Sequence, residues 1–160
     1  MKEKKIEIEY QVYQDMSELS KEDAELLTTA RTITKQAYAP YSRFRVGAAA
    51  RTEKGVVTGT NQENASFPVG ICAERSLLST AATLFPGIAI DTIAISYDNE
   101  KGESIHPISP CGMCRQALLE YESRGGKPLR VILSGQSGEI IIVESVSKFL
   151  PFAFTDKELS

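Results

Sequence analysis

The sequence is poor in several things, and each absence excludes something. No stretch of its 160 residues approaches the roughly 20 apolar residues that a membrane helix needs. The charged start, Met1-Lys2-Glu3-Lys4-Lys5, has no apolar segment behind it, so no secretory signal is legible. There are three cysteines, an odd number, which argues against a disulfide framework and for thiols used in chemistry within a reducing cytoplasm. Positive charge is not in excess: the net charge is -3, unlike the basic balance of a nucleic-acid surface. The cluster Arg43, Arg45 and Arg51 reads more simply as a solvated strand face. No repeat, low-complexity segment or linker is visible, tryptophan is absent, and His106 is the only histidine.

What is present is ordinary globular material. Hydrophobic residues make up 42% and charged residues 24%, enough to build one core without a metal or disulfide staple. Residues 5–13 alternate, with Ile6, Ile8, Tyr10 and Val12 on one side and Glu7, Glu9 and Gln11 on the other, which predicts a strand. Ser20, followed by Glu22 and Asp23, predicts a helix N-cap. Leu26, Leu27, Ala30, Ile33, Thr34 and Ala37 follow at helical spacing until Pro40.

Phe44 to Arg51 alternates again, and Glu53-Lys54-Gly55 predicts a hairpin into a strand over 56–60. A polar loop over 61–68 leads to a helix from about Cys72 to Pro86. The apolar run 88–97 predicts a central strand, buried on both faces. A helix over 111–123, strands over 129–134 and 139–144, and a short helix over 145–150 complete the chain. This order predicts an α/β fold, with a mixed sheet between layers of helices.

All three cysteines sit in two short motifs, Cys72-Ala73-Glu74-Arg75 and Pro110-Cys111-Gly112-Met113-Cys114-Arg115-Gln116. Cys111 and Cys114 are spaced to share one helix face. With Cys72 they can hold a zinc ion by three thiolates and leave its fourth position open, the layout of a catalytic site. Helix N-termini would stabilise the thiolates. Arg75, and less favourably Arg115, could bond a thiolate sulfur and draw charge off the metal.

Glu74 is the candidate general acid and base, although alone it would read as a first-turn acid complementing the helix dipole. His106 as a fourth ligand would close the site and make it a structural zinc module. A loop histidine is the plainer reading. The pairing of cysteine ligands with a non-ligating glutamate matches the signature of zinc deaminases.

The wider sequence resembles the short, homotetrameric cytidine deaminases. The resemblance rests on Tyr38-Ala39-Pro40-Tyr41-Ser42-x-Phe44-x-Val46-Gly47-Ala48-Ala49, on Asn61-Gln62-Glu63-Asn64-Ala65 and on Leu150-Pro151-Phe152-Ala153-Phe154, together with the zinc motifs. It implies a three-layer α/β/α sandwich around a five-stranded mixed sheet. It also implies a catalytic domain over 20–160, behind an extension over 1–19 that the family pattern lacks.

By the same resemblance, Cys72, Cys111 and Cys114 bind one zinc ion per subunit and Glu74 shuttles protons. Asn61 and Glu63 bind the ribose 3′-hydroxyl, and the Ala73 N–H holds an edge of the base. Phe44 packs on the pyrimidine, though its strand position also suits plain core. Phe154 is inserted into a neighbouring subunit's site. The implied reaction is hydrolytic deamination of cytidine and deoxycytidine in pyrimidine salvage. A blasticidin-S deaminase, which shares the Pro-Cys-Gly-Met-Cys-Arg run, is the alternative. Gln62, Phe67 and Phe152 depart from the family's usual aliphatic residue, tyrosine and glycine at those positions.

Overall fold

A computed structural model describes residues 1–159 of the chain. Strand β1 (Gln11–Tyr13) precedes helix α1 (Lys21–Ile33). The hairpin β2 (Phe44–Thr52) and β3 (Gly55–Thr60) leads to α2 (Ala73–Leu84). Then come β4 (Ile90–Asn99), α3 (Gly112–Gly125), β5 (Arg130–Ser134) and β6 (Ile140–Val143). The sheet order is β1-β6-β5-β4-β2-β3. Only β4 and β5 run parallel, so the sheet is mixed as expected.

One expectation needs correction. The sheet has six strands rather than five, because β1 adds itself antiparallel to the edge strand β6. The predicted strand over 5–13 is real only at its last three residues. The reason is the partner: β6 is four residues long, so the rest of the alternating segment finds no ladder.

Helix α1 starts where the sequence says. The Ser20 hydroxyl accepts the Asp23 N–H at 3.2 Å. Its apolar stripe, Leu26, Leu27 and Ala30, packs with Ala49, Ala94, Ile132, Ile140 and Ile142 on one face of the sheet. Helices α2 and α3 cover the other face through Leu77, Leu78, Ala81 and Leu118 against Ile93, Ile95, Val131 and Leu133. The central strands are apolar toward both layers, which is why 88–97 reads as a continuous run.

Two glycines set how closely the layers approach. A Cβ on Gly47 would lie 2.3 Å from the Ala30 carbonyl oxygen of α1. A Cβ on Gly59 would lie 2.4 Å from the Leu77 nitrogen of α2. Among the described residues, no helix is long and apolar enough to cross a membrane.

Candidate active site

Cys72 and Cys111 are the N-cap residues of α2 and α3. Neither side chain caps its own helix, so both sulfurs are free to face a common point. Cys114, in the first turn of α3, completes the group. The Cys72 and Cys111 Sγ atoms are 3.8 Å apart, and Cys111 and Cys114 are 3.5 Å apart. All three lie within 4.8 Å of one another. Zinc bonds near 2.3 Å in a tetrahedral site put sulfurs roughly 3.8 Å apart, so the triangle fits that ion. His106 is not part of the cluster. The donor set is three thiolates with the fourth position left over, which is the open rather than the closed layout.

The electrostatics suit thiolates. The Cys72 thiol is pulled down to about 5, first by its hydrogen bond to Cys114, with Cys111 and the charge of Arg75 adding and burial opposing. Cys114, which supplies that bond from a buried position, holds its proton correspondingly harder. Two helix N-termini add positive partial charge at the same point.

Glu74, in the first turn of α2, is 5% exposed. Burial pushes its carboxyl above the usual range and the negative charge at Cys72 adds, while its own N–H and Cys114 pull the other way. A buried carboxyl that holds its proton harder than usual, beside the three sulfurs and open to the same cavity, suits a group that passes protons.

These groups open onto a cavity of about 360 Å³, which Cys72, Glu74 and Cys111 line together with Asn61 and Glu63. The cavity is therefore where the two halves of the candidate site meet. Asn61 is held by β2: its Oδ1 accepts the Val46 N–H and its Nδ2 donates to the Phe44 carbonyl. Glu63 accepts the N–H groups of Tyr41 and Ser42 at 2.8 and 3.3 Å. The Ser42 hydroxyl, these N–H groups and Lys101 hold it below the usual carboxylate range against some burial. It is an anion at neutral pH, able to accept from a sugar hydroxyl.

Ala73 is buried as the first residue of α2, where its N–H has no partner within the helix. Phe44 stacks on Tyr97 of β4, with centroids 4.8 Å apart and planes at 14°. Val46, two positions along the same strand, lines the cavity instead. Phe154 is exposed at the surface, its carbonyl held by Gln116 Nε2 at 2.9 Å.

Arg75 lies close enough to Cys72 to bond its sulfur, donates weakly to Gly70 O at 3.4 Å, and keeps a buried Nε with no partner. Arg115 points elsewhere, to the carbonyls of Pro110 and Phe149. Sequence reasoning missed Ile108 and Ser109, which line the cavity from the loop before Cys111. Their adjacency to the Pro-Cys motif was the available signal.

Residues 20–125 match the model of the cytidine and deoxycytidylate deaminase zinc-binding region. The chain belongs to this family. It is 36% identical over 137 residues to the cytidine deaminase of Sporosarcina psychrophila, covering 84% of this chain and 93% of that one. The crystal structure of cytidine deaminase from Burkholderia pseudomallei superposes with a TM-score of 0.71 at 37% identity, covering 85% of this chain and all of that one. Similarity to the blasticidin-S deaminase of Bacillus cereus is lower, 26% over 140 residues, or 86% of this chain and 95% of that one. The family's metal is zinc, and the Cys72, Cys111 and Cys114 triangle is where one ion fits.

Proposed function

We propose that this protein hydrolyses cytidine and deoxycytidine to uridine and deoxyuridine, consuming water and releasing ammonia, with one zinc ion per subunit. The observation that carries the reading is the placement of Glu74, buried beside the three-sulfur triangle and facing the same cavity as Asn61 and Glu63. Bound zinc supplies the Lewis acidity that makes the attacking water nucleophilic at neutral pH. Glu74 takes a proton from that water, delivers it to the ring nitrogen beside the attacked carbon, and then moves a second proton to the departing amine. Asn61 and Glu63 orient the sugar through its 3′-hydroxyl, and the Ala73 N–H holds an edge of the base.

Cys72, Cys111 and Cys114 hold the metal in this reading, and Arg75 draws charge from Cys72. Residues 20–160 form the catalytic domain and residues 1–19 an extension. Phe44 either packs on the pyrimidine or braces Tyr97. The sugar-facing pair favours a nucleoside with a free hydroxyl over blasticidin S.

Phe67, Val69, Met113, Phe152 and Phe154 are all more than half exposed, an apolar set that supports burial between copies. The assembly is a homotetramer in which Phe154 enters a neighbour's site. Cysteines kept for metal binding and a free-nucleoside substrate support a cytoplasmic location for the enzyme.

The test is the cytosine absorbance on mixing zinc-loaded protein with cytidine, deoxycytidine and blasticidin S. The parent protein bleaches the band of both nucleosides. Glu74→Gln keeps its zinc and loses turnover by about 10³-fold or more. Turnover of blasticidin S alone, or full activity in Glu74→Gln, overturns the reading.

A further inference from the structure

The N-terminal segment is anchored at its root and unpartnered at its tip. Tyr13, Met16 and Leu19 pack against the core beneath α1. Arg31 of α1 ties Met16 to the turn after β5, bonding Met16 Sδ, Gly135 O and Ser134 Oγ. Residues 1–10, by contrast, run beyond the sheet and are exposed. Ile6, Ile8, Tyr10 and Val12 keep the alternation of β1, yet they are 53%, 47%, 58% and 46% exposed. Val12 is paired with Ile141 of β6, but the ladder starts at Gln11, so Ile6, Ile8 and Tyr10 have no strand beside them. A strand-patterned segment with free backbone N–H and C=O groups is a template for another strand.

We propose that residues 4–10 pair with the same residues of a second copy, as an antiparallel ribbon about a two-fold axis through Glu7. The sequence is complementary to itself in that register. Lys5 lies opposite Glu9, twice, and Ile6 lies opposite Ile8, twice. Lys4 lies opposite Tyr10, whose ring accepts a cation. Unlike charges and branched apolar residues facing one another are the pairs that stabilise an antiparallel sheet.

The one unfavourable pair is Glu7 with its own mate. Each Glu7 already has Lys5 beside it on its own strand, at 2.5 Å. Centring the ribbon on Ile6 keeps Lys5 opposite Glu7 and Ile6 opposite Ile6, but sets Glu3 opposite Glu9 twice and Lys4 opposite Ile8 twice. Centring it on Ile8 sets Glu7 opposite Glu9 twice. A parallel, in-register pair sets every like charge against its twin. The register centred on Glu7 has the fewest mismatched pairs, the single contact between the two Glu7 residues.

A two-stranded ribbon alone is marginal in water, and here each strand continues into β1 and so into a folded sheet. The ribbon is an isologous contact, closed by its own two-fold axis. It uses none of the catalytic groups, so it stands or falls apart from the proposed reaction.

Disulfide trapping in the full-length, zinc-loaded protein tests it, with the parent protein run alongside to account for its own three cysteines. Glu7→Cys forms a covalent dimer under mild oxidation by glutathione disulfide. Lys4→Cys does not, because its counterpart in the ribbon is Tyr10. Within the Glu7→Cys background, Glu9→Lys lowers the dimer yield about fivefold or more, and adding Lys5→Glu restores it. Equal trapping at Lys4 and Glu7, no trapping at Glu7, or no response to the charge changes overturns the proposal. All four proteins fold and turn over substrate as the parent does.

Discussion

Asn61 is locked to Val46: its Oδ1 accepts the Val46 N–H at 2.7 Å, while its Nδ2 donates to the Phe44 carbonyl at 2.9 Å. The side chain thus replaces a rung of the sheet just where β2 borders the cavity. One N–H and one lone-pair direction of the amide remain for a ligand. Asn61→Ala orphans a half-buried N–H and a carbonyl, so it loses about 1–3 kcal/mol of stability, or roughly 3–8 °C in melting temperature. Its kcat/KM falls as well. Asn61→Asp keeps the acceptor for Val46 but sets a carboxylate against the Phe44 carbonyl, so it is no better. Calorimetry with steady-state kinetics checks this. An unchanged melting temperature with a raised KM would mean the amide serves the ligand alone.

Removing the metal separates the three sulfurs by what surrounds them. Cys114 is fully buried, whereas Cys111 is exposed. Without zinc, the cluster leaves charge and protons trapped among three thiols at the ends of two helices. Chelation lowers the melting temperature by several degrees, and one equivalent of zinc restores it, because a ligand that binds only the folded state stabilises it by mass action. Cys114→Ser loses the zinc altogether, since a hydroxyl is a poor replacement for a thiolate in a buried position. Elemental analysis decides it. A Cys114→Ser protein holding one zinc per chain would remove Cys114 from the ligand set.

The fold and the metal centre were legible for different reasons. Helix α1 could be read because its cap and stripe are local: Ser20, Leu26, Leu27 and Ala30 all do what their spacing says. The sulfur triangle was legible because a metal site needs particular atoms at particular spacings. What the sequence concealed is non-local. Phe44 faces Tyr97 only because β2 and β4 pair, and no local pattern announces that neighbour. Arg75 and Arg115 both follow their ligand motifs in the first turns of α2 and α3, yet Arg115 is captured by Pro110 and Phe149. The length of β1 depended on the length of a strand more than a hundred residues away.

Phe152 has φ of 58°, in the left-handed region where a side chain is strained. That strain costs roughly 1–2 kcal/mol for a residue with a Cβ, and it accounts for the glycine usual at this point of the pattern. Glycine recovers most of it, less the extra freedom it gives the unfolded chain. Phe152→Gly in the isolated subunit therefore raises the melting temperature by about 1–3 °C. The ring itself is 95% exposed within its own chain and contributes no packing there. A loss of several degrees, measured at a concentration where copies associate, would show the ring engaged across an interface.

Gly59 lets α2 lie directly on β3, and α2 carries the chemistry. A Cβ at this position would meet the Leu77 nitrogen at 2.4 Å, the Ala73 oxygen at 2.6 Å and the Leu77 Cα at 2.8 Å. All three are helix backbone, which cannot swing aside as a side chain can. The helix must shift as a body, carrying Cys72 and Glu74 away from Cys111 and Cys114. Gly59→Ala is thus expected to cost about 1–3 kcal/mol through overpacking. It also lowers zinc content and kcat, because two of the proposed catalytic groups travel with α2. Gly112→Ala is the informative control. It lies between the two ligands of α3, but nothing stands within 4 Å of a Cβ there, and it sits in a helix where alanine is preferred. It keeps its zinc and its activity. Equal losses in both variants would mean that proximity to the ligands in sequence, and not the seating of α2 on β3, governs the site.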